Sequence, residues 1–171
     1  MRAGGVKLSE LEQVLTGDSA AAAPAVILEA LSGELAHRLV DGAPHTIYEE
    51  LWHIAFWQRM TLDWIEGIGT PYPVHASAGF PTGDEVQLES WDELRQRFFR
   101  GLEQAALAAR NVAGLEQPIH CPSRPGASPR IMTVREQLES LVAHNAYHFG
   151  RIVLLRQLLR SWPPPAGGST W

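Results

Sequence analysis

TVREQLESLVAHNAYHFGRIVLLRQLLRSW, residues 133–162, carries one sustained helical period. Steps of four and three from Val134 reach Leu138, Leu141, Asn145, His148, Ile152, Leu155, Leu159 and Trp162, which is the spacing of one helix face. That face is apolar at both ends and polar in the middle, and His144, one turn before His148, lies beside the same interruption. Two imidazoles and a carboxamide thus stand where a buried helix should carry leucine. Unpartnered, such groups cost on the order of a few kcal/mol each when buried, so the fold has to supply something that satisfies them.

Histidines four residues apart on a helix project side by side, about 6 Å apart at Cβ, and both rings can reach one metal ion. Surface histidines and hydrogen-bonded core histidines show the same spacing, so the pair alone does not make a metal site. Its position inside an apolar seam, and a third imidazole elsewhere, carry the reading further.

Composition restricts what the chain can be. With 171 residues, 45% hydrophobic and 19% charged, it fits one domain spanning 1–171, with a short N-terminal appendage and a loose tail after residue 162. A net charge of −5, from 14 basic and 19 acidic residues without a basic run, argues against nucleic acid and anionic membrane surfaces as partners. The start, MRAGGVKLSELEQVL, has no continuous apolar segment, and no run elsewhere approaches the ~18 residues of a membrane span. A soluble, cytoplasmic protein is expected. The single cysteine, Cys121, excludes an internal disulfide and a multi-cysteine zinc site, so a metal would be held by nitrogen and oxygen.

Along the chain, residues 7–15 read as a short amphipathic appendage. Residues 20–40, rich in Ala and Leu and stopped by Asp41-Gly42-Ala43-Pro44, read as helix one. His37 near its end reads as a surface or C-terminal histidine favoured by the helix dipole. Helix two begins at Thr46-Ile47-Tyr48-Glu49, a T-x-x-E capping box that Thr133-Val134-Arg135-Glu136 repeats at the last helix. From Tyr48 to Ile65, apolar residues cover most of the circumference, so this helix is expected to be buried on more than one side. Within it, His53 shares a stripe with Glu49 or Glu50, Trp57, Met60 and Trp64, and provides the third imidazole. Residues 67–89 form a long irregular connection, expected to serve as a crossover or to cover a site, with His75 a solvated loop residue. Ser90 and Glu93 open helix three, whose stripe is Trp91, Leu94, Phe98, Leu102, Ala105 and Ala109. Residues 111–132 form a second irregular connection. His120 and Cys121 within it are chain neighbours, which rarely point at each other, and they are not read as a nucleophile pair. No strand pattern is evident, and the expectation is an all-α four-helix bundle with a long connection between helices two and three.

HNAYHFGRIVLLRQLL in the last helix and HTIYEELWHI in the second resemble the DinB-like family, also described as DinB/YfiT-type metalloenzymes. The resemblance runs from helix one through Trp162, and its most specific part is the H-x3-H-x-G pattern of His144, His148 and Gly150 paired with a histidine in helix two. It implies a four-helix bundle, often dimeric, with a divalent metal on His53, His144 and His148. Many members carry an acid before the first histidine of the pair and Gln after the glycine, where this chain has Ala143 and Arg151. Some relatives look like transferases acting with low-molecular-weight thiols, and one group isomerises a thiol adduct.

Three neutral nitrogens leave a metal position open, as in catalytic sites. The reading is therefore a metal-dependent transferase using a small thiol and an electrophilic small molecule, or a related hydrolase. The alternative is a non-catalytic, stress-associated bundle that binds metal or senses a ligand, and a purely structural role for hydrogen-bonded core histidines stays open too. Zinc or nickel suits the donor set first, with iron and manganese also compatible. Asn145 is expected either behind the ligands or as seam packing, and Tyr147 and Glu49 or Glu50 as candidates for proton handling. A homodimer through helix two follows from its surplus of apolar surface.

Overall fold

The computed structural model describes residues 9–17, 21–165 and 167. The beginnings placed at residues 7 and 20, and most of the tail beyond 165, lie outside the described residues. The described chain is mostly helical: α1 (Glu10–Thr16), α2 (Pro24–Ile27), α3 (Gly33–Ala36), α4 (Ile47–Ile65), α5 (Gly83–Leu88), α6 (Trp91–Arg110) and α7 (Val134–Leu158), with strands β1 (Pro118–Cys121) and β2 (Arg130–Thr133) before α7.

The long helices start where the sequence marks them. Thr46 with Glu49, Ser90 with Glu93, and Thr133 with Glu136 each form a reciprocal capping box, hydroxyl to backbone and carboxylate to backbone. α4 packs against both α6 and α7 and occupies the centre. Its buried residues lie all around its axis, from Ile47, Leu51 and Ile54 to Met60, Leu62 and Trp64. The seam face of α7 is buried from Val134 through Leu138, Leu141, Asn145, His148 and Ile152 to Leu155. A buried amide bond also fixes α4 to α6: Gln58 Nε2 donates to the Phe98 carbonyl at 2.8 Å. Gly101 makes this approach possible, because a Cβ there would overlap the Gln58 amide.

Four expectations are corrected. Helix one is not continuous; it is two single turns, α2 and α3, separated by a kink in which Ala30 has φ +53°. The carbonyls that would continue the helix are used by other elements, since Ile27 O accepts from Arg156 and Leu31 O accepts from the Trp91 indole at 2.8 Å. The Ser32 hydroxyl then starts a new turn by capping Leu35 N. The last helix stops at Leu158, short of Trp162, because Arg160 adopts φ +56° and Ser161 N returns to the Arg156 carbonyl at 2.8 Å. The first long connection contains a 3-10 turn, Ala76–Gly79, and α5, which has its own capping box of Thr82 and Glu85. The second contains the antiparallel ribbon, in register Ile119 with Met132 and His120 with Ile131, where no strand was expected. Its Thr133 both ends β2 and caps α7, so the ribbon sets where α7 begins.

Much of the apolar surplus on α4 is covered within the chain by the 67–89 connection. The Trp64 indole donates to Thr70 O at 2.8 Å, and Tyr72 lies 5.2 Å from the Trp57 ring. No described helix is long and apolar enough to cross a membrane.

Candidate metal centre

Where α4 crosses the polar interruption on α7, the three histidines singled out by the sequence converge. His53 Nε2 and His144 Nε2 lie 3.1 Å apart, and the ring centroids of His53 and His144 lie 4.4 and 4.5 Å from that of His148. One ring nitrogen from each residue falls within 4.8 Å of the other two.

The groups behind the rings fix where their protons sit. His53 Nδ1 lies 2.7 Å from the Gly79 carbonyl, and His148 Nδ1 lies 2.7 Å from Glu50 Oε2. A carbonyl and a carboxylate can only accept, so both Nδ1 atoms carry the hydrogen and both Nε2 atoms are left facing the cluster. His144 Nδ1 has a longer contact, 3.4 Å, with Asn145 Oδ1. Burial pushes the His53 and His144 imidazoles down to about 4, and the neighbouring histidines act in the same direction. Both are therefore neutral at pH 7. Neutral imidazoles turning lone pairs toward one another repel unless a cation or a shared proton lies between them. As a donor set they fit a divalent ion.

Rings enclose the cluster. Phe80 stacks on His53 at 4.1 Å and on His45 at 3.8 Å, and Trp57 stands edge-on to His53 and His144 at 6.2 Å from each. Tyr147, 63% exposed, stands edge-on to His148 at 4.9 Å. The 67–89 connection therefore reaches the site, contributing both the Gly79 carbonyl and Phe80. A Cβ on Gly79 would lie 3.2 Å from the His53 ring and from Trp57 Nε1, so the approach of this loop depends on glycine.

Two acids were equivalent from helix spacing and are distinct in the structure. Glu49 is used in the capping box, whereas Glu50 is fully buried behind His148. Arg151, one of the two departures from the family pattern, pairs with the second Glu50 oxygen at 2.8 Å. Asn145 is buried, with Oδ1 3.4 Å from His144 Nδ1, and it lines an apolar cleft of about 310 Å³ between α1–α2 and α7. Sequence reasoning missed Arg151 as the partner of Glu50, and missed the Gly79 carbonyl, since a backbone acceptor leaves no trace in residue type.

The remaining candidates lie apart from the cluster or behind it. His37 Nδ1 contacts Gly33 O at 2.7 Å and its ring stacks on Tyr48, while His75 and His120 are exposed. His120 and Cys121 point to opposite faces of β1. The Cys121 thiol donates to Gln137 Oε1 at 3.6 Å, and burial raises its pKa, which keeps it protonated and unreactive.

A search of curated proteins gives no match. Residues 18–152, which include all three histidines, Glu50 and Arg151, match the model of a family described as the DinB superfamily. A match over most of the chain, carrying the helix-two histidine and the H-x3-H pair together, means that the chain belongs to the DinB superfamily.

Proposed function

We propose that this chain is a divalent-metal protein that holds its ion on His53, His144 and His148 and transfers a low-molecular-weight thiol to an electrophile, or carries out a related hydrolysis. The convergence of three imidazole nitrogens, on two of whose rings an acceptor-only partner holds the hydrogen at Nδ1, carries the reading. When bound, the ion would supply positive charge that favours proton loss from a thiol or water. The chain's own residues orient the ligands. Gly79 O and Glu50 fix two tautomers, and Phe80 and Trp57 restrict water around the rings. Cys121, buried and protonated, is not the nucleophile.

Zinc or nickel is proposed first, with iron and manganese as alternatives. The second reading, a non-catalytic ligand-sensing bundle fixed by its metal, draws on the burial of His53 and His148, which limits approach of a co-substrate. The experiment that separates them measures the metal content of natively purified protein. It then follows a chromogenic electrophile with several biological thiols, with and without that metal, beside His144→Ala. Rates independent of the metal or unchanged by the substitution remove the transferase.

In this reading α4, α6 and α7, with the segmented α2–α3 region, act as a four-helix bundle in one cytoplasmic domain. The half-buried Trp52 and Phe56, stacked at 5.4 Å on α4, support a homodimer through that helix. A mass of 18.9 kDa by light scattering at micromolar concentration would remove the dimer.

A further inference from the structure

The three imidazoles are alike in sequence but not in what stands behind them. His53 is backed by a carbonyl, His144 by a carboxamide at a long 3.4 Å, and His148 by a carboxylate at 2.7 Å. Of the three, His148 is the one in direct contact with a full charge, and that charge has a counter-ion. Glu50 is wholly buried and bridges two groups of α7, with Oε2 on His148 and Oε1 on Arg151 at 2.8 Å. Arg151 is not enclosed in the same way. It remains 28% exposed, lies 5.8 Å from the Tyr147 ring centroid, and meets Glu50 Oε1 without the alignment of a hydrogen bond. The contact is an ion pair between a fixed anion and a cation reaching in from the rim.

We infer that Glu50 and Arg151 are positioning residues acting with opposite sign on the metal centre: Glu50 strengthens metal binding, and Arg151 weakens it while favouring small anions at the ion's open position. The inference rests on the three-histidine metal reading. A carboxylate behind an imidazole makes that ring a better donor and adds attraction for a dication. A guanidinium behind the carboxylate cancels most of that attraction at longer range. With both present the pair is neutral, the bound ion keeps its full charge, and anionic ligands are favoured over neutral ones. A purely structural ion pair behaves differently, because loss of either partner would then weaken the site in the same direction.

The test uses the full chain loaded with Co(II), whose visible bands report coordination, with a chelator competition for metal affinity and an azide titration for anion affinity. Glu50→Gln is expected to lower Co(II) affinity by roughly 10- to 100-fold. Arg151→Gln is expected to raise it by about tenfold and to weaken azide by about tenfold, and Arg151→Lys to stay within about twofold of the unmodified protein in both. Because Arg151 is partly exposed, its variants keep the test available if Glu50→Gln fails to fold. If Arg151→Gln lowers Co(II) affinity or leaves both affinities unchanged while the unmodified chain binds tightly, this inference fails and the metal site stands. If the unmodified chain binds no Co(II), the three-histidine reading fails and takes this inference with it.

Discussion

The helix α7 carries two buried polar clusters on one element, and they are finished in different ways. At its C-terminal end, Arg156 is 1% exposed, and its guanidinium donates to Ile27 O and to Ser161 O while lying 5.3 Å from the Trp162 ring centroid. Two to three turns earlier, His144 and His148 face His53, with His144 Nε2 only 3.1 Å from His53 Nε2 and one nitrogen of each ring within 4.8 Å of the others. The first cluster is complete within the chain. The second has a carbonyl and a carboxylate on its outer side, at Gly79 and Glu50, and only imidazole nitrogens facing one another on its inner side. Burial of polar groups is common to both, so burial does not mark function. What distinguishes the candidate site is convergence of like imidazole nitrogens from two helices, a donor set that suits a divalent ion.

The comparison breaks first, and with the largest effect, at the metal. His148→Ala should abolish near-stoichiometric binding, and His53→Ala and His144→Ala should do the same, while Arg156→Met retains it; equal metal content in the His148 variant would end the distinction. Arg156→Met should instead cost roughly 2–3 kcal/mol in urea unfolding of the metal-free protein, because it leaves the Ile27 and Ser161 carbonyls without their donor. An unchanged midpoint would show the arginine cluster to be dispensable.

A smaller effect, on pH, sharpens the contrast. The unfolded imidazoles titrate near 6.5, whereas His53 and His144 do so near 4 in the folded state. Between those values the unfolded chain binds more protons, so the melting temperature of the metal-free protein should fall as pH falls from about 6.5 to about 4. His53→Gln should flatten part of that slope; an identical slope would contradict it. Smallest is Gly79→Ala, whose Cβ at 3.2 Å forces the loop or the His53 ring to give by a few tenths of an ångström. Metal affinity should drop by up to roughly tenfold with little loss of fold stability. Titration calorimetry on both proteins would show whether it does.

How much of this was legible depends on the range of the interaction that sets it. The capping boxes at Thr46, Ser90 and Thr133 are local, and the structure places helices where they predict. The seam of α7 and the three histidines were legible because helical period alone puts them on facing stripes. Thr82 and Glu85 offer the same local signal for α5, but inside a stretch whose Gly and Pro residues argue against helix. Helix one failed for the opposite reason. Its alanines and leucines favour helix, but distant side chains, Arg156 and Trp91, take its carbonyls. Each strand of the ribbon has only four residues, and burial alternates along β1 but not along β2, so no period of two shows against the irregular flanks. Glu50 could not be told from Glu49, because helix spacing gives a face but not which of two neighbours reaches across it.

His53 and His144 are 91 residues apart in the chain, and the group between them includes both long connections and all of α6. An ion shared by them would act as a crosslink closing a loop of that length. If such a link persisted in the unfolded chain, the entropy removed would resemble that of a long-range disulfide, on the order of 4–5 kcal/mol in the chain-entropy picture. The same span means that the ligand set cannot assemble from either half of the molecule alone. Metal capture would therefore report that the two ends of the fold have met, and a truncated or stalled chain would leave the ion behind.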